Sequence, residues 1–162
     1  MKNLIIIAAI GRKRELGYKN DLIWRIAEDK KAFRDITMGH YIFMGRKTYE
    51  SLPNKLEGRK YLVLSRELKG TDDIQTFSSI DEFLDFSRTT SEDIYIIGGG
   101  QIYSALLQCT HKMILTEIDD VFADADVFFP AFDKSGWNVE RGVKQKDGEL
   151  TYRRNIYTRI QK

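Results

Sequence analysis

Several things are scarce in this chain, and each scarcity excludes something. Cys109 is the one cysteine among 162 residues, so no internal disulfide can form, which fits a reducing compartment such as the cytoplasm. His40 and His111 are isolated, and no Cys/His cluster has metal-ligand spacing, so no metal is expected. Pro53 and Pro130 are the only prolines, and no linker, repeat or low-complexity tract appears. Residues 1–162 therefore read as one domain, long enough to bury a core. Charge of one sign is lacking too: 26 Lys+Arg against 24 Asp+Glu leave +2, too little to argue for nucleic acid or an anionic membrane. The apolar run Leu4–Ile10 is far too short to span a bilayer. It also lacks a clear cleavage site and flows into GRKREL, so it reads as a buried strand rather than a signal peptide.

What remains is an ordinary soluble balance, 42% hydrophobic and 31% charged. Apolar runs typical of buried parallel strands occur at 4–10, 41–44, 61–64, 94–97 and 112–118. Helical patterns fall between them, near 27–37, 46–52, 79–87 and 100–108, with Ser79 and Glu82 forming a capping box. The end changes character. Trp137, Val139 and Val143 alternate with polar residues, as do Leu150, Tyr152, Ile156 and Ile160, with Asp147-Gly148 between them as a tight turn. The expected fold is α/β: a mainly parallel central sheet, helices on both faces and an antiparallel C-terminal hairpin.

One residue does not fit its surroundings. In the helix opening at Ile26, the residues Ile26, Phe33 and Ile36 share a core-facing stripe, and Asp29 falls in the same stripe. Glu28, Lys31, Arg34 and Asp35 point elsewhere, as solvated charges should. A bare carboxylate on an apolar face is costly unless something pairs with it or protonates it. A first-turn acid is also favoured by the helix dipole, so on position alone Asp29 has a plainer explanation.

Three strand ends carry phosphate-binding chemistry, at the edge where open α/β sheets bind ligands. After YIFM comes Gly45-Arg46-Lys47-Thr48, opening a helix; after YLVL comes Ser65-Arg66; after IYII comes Gly98-Gly99-Gly100, opening another helix. Taken singly, these are turns and solvated charges, and the triplet is not G-x-G-x-x-G because Tyr103 stands at the last position. Taken together, they suit a ligand with more than one phosphate, such as a dinucleotide.

The motifs MGRKTYESL (44–52) and IIGGGQIY (96–103), with Trp24 five residues before Asp29, resemble dihydrofolate reductase. LGYKNDLIW (16–24), FRDITMGH (33–40), LEGRK (56–60), LVLSR (62–66), LTEI (115–118) and DADVFFP (124–130) follow in the family's order. The resemblance implies hydride transfer from NADPH to dihydrofolate, giving tetrahydrofolate for one-carbon metabolism. It implies antifolates as inhibitors and a cytoplasmic monomer. Asp29 would be the family's buried acid, bonding the pterin's 2-amino group and ring nitrogen and assisting protonation at N5. Its partner would then be the ligand, and burial should raise its pKa. Thr116 would order the acid and a water, and Trp24 would border the pocket. Ile7, Ala9, Phe33, Leu52, Leu56, Ile97 and Tyr103 would line the substrate site, with Arg59 gripping the α-carboxylate of the substrate's glutamate. Gly45, Arg46, Lys47 and Thr48 would meet the NADPH phosphates, with Leu64, Ser65 and Arg66 near the 2′-phosphate. Gly98 and Gly99, joined by the family's cis peptide bond, would continue the cofactor site with Gly100, Gln101, Ile102 and Ala9. Gly17, Asn20 and Leu22 would belong to a mobile loop, Gly11 to Leu22, that closes over the nicotinamide.

The chain departs from the family in places. Ile23 and Ala27 stand where prolines are common, and PNKLEGR lacks the usual proline beside its glycine. Lys30 follows the acid where many relatives carry an apolar residue, and Ala125 and Val127 replace a glycine and a threonine beside Asp126. Lost prolines loosen the loop entry. Two other readings are compatible with parts of the pattern: an NADPH-dependent pyrimidine reductase of riboflavin synthesis, and a non-catalytic nucleotide-binding module. The Trp24–Asp29 pair and Arg59 argue against the first, and the intact acid and glycines against the second.

Overall fold

The layering follows from alternation along the first strand. In the computed structural model, which describes residues 3–52 and 56–161, β1 (Leu4–Ile10) sends Leu4, Ile6 and Ile10 into one apolar cluster and Ile5 and Ile7 into another. That is the behaviour of a strand buried on both faces. The chain continues as β2 (Glu15–Tyr18), β3 (Asp21–Leu22), α1 (Ala27–Thr37), β4 (Tyr41–Gly45), α2 (Arg46–Ser51), β5 (Lys60–Leu64) and β6 (Ile74–Phe77). It then forms α3 (Ile80–Ser87), β7 (Ile94–Gly98), α4 (Gly100–Leu106), β8 (Lys112–Ile118), β9 (Val127–Phe128), β10 (Trp137–Glu140), β11 (Gln145–Asp147) and β12 (Leu150–Arg159).

The main sheet runs β10-β12-β8-β1-β7-β4-β5-β6, with β11 also on β12. From β8 to β6 every pairing is parallel, and β12 joins β8 antiparallel. Helix α1 supplies Phe33 and Ile36, and α2 supplies Tyr49, to the cluster that holds Ile5 and Ile7. Helices α3 and α4 supply Phe83, Ile102, Tyr103 and Leu106 to the cluster that holds Leu4 and Ile6. The expected architecture, a mainly parallel sheet covered by helices on both faces, is the one found. Ser79 caps α3 as its sequence suggested: its side chain accepts from the Glu82 amide at 3.1 Å, and the Glu82 carboxylate accepts from the Ser78 amide at 2.9 Å.

Two features lie outside the expectation. Strand β6 is short and half polar, and it completes the far edge. Strands β3, β2 and β9 form a separate small sheet in which β2 and β3 are joined by Lys19-Asn20, both left-handed at φ 50° and 63°. The segment Gly11 to Leu22 is thus largely a hairpin. Glu15 within it is 1% exposed and accepts from the amides of Lys13 and Phe122, each at 2.7 Å.

The C-terminal hairpin exists, with a shifted turn. Asp147 pairs with Leu150, so Gly148-Glu149 form the turn, and Gly148 has φ 61°. Trp137 is buried, but Val139 and Val143 are exposed, so that alternation marks no buried face. Between β10 and β11 the chain folds tightly onto β12: the Gly142 amide donates to Asn155 Oδ1 at 3.0 Å, and a Cβ at Gly142 would lie 2.2 Å from the Arg154 carbonyl oxygen. Of the PNKLEGR loop, Pro53, Asn54 and Lys55 lie outside the described residues.

Candidate active site

Register builds the acid's surroundings. Ala9 on β1 pairs with Thr116 on β8, and Thr116 pairs with Arg154 on β12. Cross-strand partners face the same way, so these three side chains share the sheet face that α1 covers. Ile26 at the start of α1 packs with Ile118 and Tyr152, and Phe33 packs further along the sheet, so Asp29 between them sits over Thr116. Thr116 Oγ1 donates to Asp29 Oδ1 at 2.6 Å, and an Arg154 guanidinium N–H donates to the same oxygen at 2.8 Å.

Arg154 also forks onto Glu28, at 3.1 and 2.8 Å. Tyr152 donates to Glu28 at 3.3 Å. The hydrogen bond from Arg154 holds the Glu28 carboxyl below its ordinary range, and the bond to Glu28 leads the causes that raise the Arg154 guanidinium. Two expectations change here. Glu28 is not merely a solvated charge, and Asp29 has a protein partner besides any ligand. Lys30 is exposed.

The apolar residues expected around the substrate fall into separate clusters. Ile7, Phe33, Leu52, Leu56 and Ile97 belong to one cluster, and Ala9 packs with Trp24 and Ile26. The Trp24 indole donates to Asp120 at 3.0 Å, which holds that carboxyl low. Arg59 lies at the end of α1: its Nε donates to Thr37 Oγ1 at 3.1 Å, and its two terminal nitrogens donate to the carbonyls of Glu57 and Arg34. It thereby satisfies a carbonyl that the helix end leaves open. Tyr103 stands in the cluster on the other face, its hydroxyl donating to the Ile7 carbonyl at 2.8 Å, and burial pushes that hydroxyl's pKa far up.

The second half of the site is an edge. Strands β7, β4 and β5 are neighbours, so the ends carrying Gly98, Gly45 and Leu64-Ser65-Arg66 lie in a row. Gly98-Gly99 is a cis peptide bond. Thr48 belongs to this cradle, since a Cβ on Gly98 or Gly99 would lie 3.7 or 3.6 Å from its Oγ1. Ile102 packs on Gly45, 3.4 Å from where a Cβ would stand. Lys47, Arg66 and Gln101 are exposed, while Arg46 pairs with Glu50 at 2.9 Å and also with Glu67. Ser65 Oγ accepts from the Glu67 and Leu68 amides at 3.2 and 3.0 Å, which leaves its proton to donate.

The small sheet reaches the same edge. A Cβ on Gly100 would lie 2.8 Å from Val127 Cγ1 on β9. Gly17 pairs with Leu22 and Val127, and the Lys19 amide donates to Asp126 Oδ2 at 3.0 Å. Gly17, Asn20 and Leu22 therefore stand on a hairpin anchored beside Gly100. Glycines open to close approach, a hydroxyl with a proton to give and basic side chains fit the phosphates of a dinucleotide. An open basic cleft of about 610 Å³, lined by Arg141, Lys144 and Arg153 among others, takes Gly11, Arg12 and Arg14 from the expected loop but none of the residues expected to touch substrate or cofactor.

The dihydrofolate reductase family profile matches residues 3–160, a span that includes both the acid and the glycine edge. The dihydrofolate reductase of Staphylococcus haemolyticus is 33% identical over 159 residues, covering 96% of this chain and 95% of that protein. That of Bacillus subtilis (strain 168) is 34% identical over 158 residues, covering 93% and 91%. That of Mycobacterium tuberculosis (strain H37Rv) is 38% identical over 133 residues, covering 78% and 79%. With the family profile spanning residues 3–160 and the Staphylococcus haemolyticus and Bacillus subtilis relatives matched over more than nine-tenths of both chains, the chain belongs to the dihydrofolate reductase family.

Proposed function

We propose that this dihydrofolate reductase binds 7,8-dihydrofolate in the apolar pocket beside Asp29 and NADPH along the β7–β4–β5 edge. The reaction reduces dihydrofolate to tetrahydrofolate, which serves one-carbon metabolism. NADPH, when bound, supplies the hydride. The protein's own residues orient, desolvate and help protonate. Asp29 accepts from the pterin's 2-amino group and ring N–H and assists the proton's arrival at N5. Thr116 and Trp24 support it. Ile7, Ala9, Phe33, Leu52, Leu56 and Ile97 exclude water around the ring, Tyr103 backs the pocket, and Arg59 receives the glutamate carboxylate.

On the cofactor side, Thr48, Arg46 and Lys47 receive the bridging phosphates, and Ser65 and Arg66 receive the 2′-phosphate. Gly45, Leu64, Gly98, Gly99, Gly100, Gln101 and Ile102 shape the groove, and the hairpin carrying Gly17, Asn20 and Leu22 covers the nicotinamide. The enzyme works as one domain over residues 1–162, as a cytoplasmic monomer. Among the described residues no helix is long and apolar enough to cross a membrane.

The observation that carries this reading is a carboxylate under an apolar wall with Thr116 bonded to it at 2.6 Å. The test mixes purified protein with NADPH and dihydrofolate and follows loss of the reduced-nicotinamide absorbance, with and without methotrexate. Substrate-dependent loss that methotrexate blocks is the expected result. NADPH binding without dihydrofolate-driven oxidation would leave the cofactor edge standing and overturn the pterin half. Gel filtration tests the monomer.

A further inference from the structure

Arg154 is absent from every sequence-level reason for placing the site here, yet it is bonded directly to the acid. Its guanidinium reaches Asp29 Oδ1 at 2.8 Å, the same oxygen that Thr116 approaches at 2.6 Å. Among the described residues, Oδ2 accepts no hydrogen bond. We propose that Arg154 is a positioning residue for Asp29: with Thr116 it fixes Oδ1, so that Oδ2 is presented to the ligand, and Glu28 in turn holds the arginine. This rests on the reading of Asp29 as the pterin-binding acid.

The physical argument has two parts. The terminal torsion of a carboxylate is broad and twofold, so a single donor leaves its plane loosely set. Donors from two neighbouring strands, converging on one oxygen, fix it. The bidentate grip of Glu28 then fixes the guanidinium plane from the other side, which a lysine ammonium would not reproduce. Charge gives the second part. Two carboxylates and one guanidinium leave the cluster with one net negative charge, suited to a ligand that arrives with N–H donors and gains a proton.

The groups facing Asp29 are Glu28 from α1, Thr116 from β8, and Arg154 with Tyr152 from β12. Gln145 of β11 lies behind them, its side-chain oxygen 3.3 Å from the Tyr152 hydroxyl. Glu117 and Arg153 alternate to the opposite face, where Glu117 accepts from Tyr157 at 2.8 Å. Asp120 is bonded to Trp24, and Lys30 is exposed.

The experiment titrates the Asp29 carboxyl by carbon NMR in ligand-free protein, for the unsubstituted chain and for Arg154→Met, Arg154→Lys and Glu28→Gln. In Arg154→Met, burial and Glu28 oppose ionisation with no cation to offset them, so the midpoint moves up by about one pH unit or more. Arg154→Lys returns part of that shift, because charge is restored without the fork. Glu28→Gln leaves the guanidinium to Asp29 alone and moves the midpoint down. Opposite signs for the two partners are what a purely structural role would not produce. The pH at which dihydrofolate-dependent turnover falls follows the same order. Unchanged midpoints in Arg154→Met and Glu28→Gln, in protein that still binds NADPH, overturn the proposal. If Arg154→Met does not fold, the sign of the Glu28→Gln shift decides. A wild-type chain that never oxidises NADPH with dihydrofolate would instead overturn the proposed function, and the ligand-free titration would still judge the clamp.

Discussion

The two halves of the site are built in opposite ways. At the acid end, side chains from α1, β8 and β12 are bonded to one another, and the Asp29 and Arg154 side chains are only 23% and 19% exposed. At the proposed cofactor edge the charges are on the surface: Arg46 is 42% exposed, and its partners Glu50 and Glu67 are 56% and 80% exposed. Surface pairs of that kind contribute about 0–1 kcal/mol, so an arriving phosphate can replace a glutamate at little cost. The Asp29–Arg154 pair is partly buried instead, so it is screened less than the surface pairs. The acid end is therefore organised before ligand arrives, whereas the edge supplies backbone shape and exchangeable charge.

That contrast can be broken or sharpened by substitution. Asp29→Asn is expected to lower dihydrofolate-dependent turnover by roughly 10²–10⁴-fold while NADPH titrations stay unchanged. Equal loss of NADPH affinity would mean that the halves are not independent. Gly98→Ala places a side chain at φ 127°, beside Thr48 and Tyr103. About 1–3 kcal/mol of strain should weaken NADPH binding by roughly ten- to a hundredfold and leave the acid end intact, as fluorescence titration with NADPH and NMR of the Asp29 carboxyl would report. Arg66→Gln should raise the KM for NADPH about tenfold with little change for NADH, measured in parallel assays. Thr116→Val removes one bond to the acid while keeping Arg154, and should lower unfolding free energy by about 1 kcal/mol in urea titrations. Glu67→Gln is the control for the edge: stability within about 0.5 kcal/mol, and NADPH affinity equal or slightly higher.

The same contrast explains what could be seen in the sequence. The glycine-and-basic edge proposed for the cofactor was legible as a row of strand ends because its parts are contiguous: a buried strand followed at once by glycine and basic residues needs only local pattern. The core strands and the four helices were legible for that reason as well. Asp29 was legible as a question, being a carboxylate in an apolar stripe. Its answer on the protein side was not, because Arg154 lies 125 residues away. Arg153-Arg154 looks like surface charge on an edge strand; only the pairing of Arg154 with Thr116 turns it inward, and no local signal encodes that register. Glu28 was misjudged for a related reason, since a helical projection cannot see the strand beside the helix. The small sheet was missed because Glu15 pairs with Phe128 across the chain and its strands are two to four residues long. Strand β6 offers only Ile74 and Phe77 as buried signals around polar Gln75 and Thr76.

Gly142 carries a consequence for how this protein can vary by descent. It sits in a partly covered loop, with no catalytic chemistry of its own, at a place where variation is ordinarily tolerated. Yet any side chain there would collide with the backbone of the residue that grips the acid. In a saturation library selected for growth on its reductase activity, position 142 should stay glycine as stubbornly as the pocket itself, while exposed Val143 next to it drifts freely.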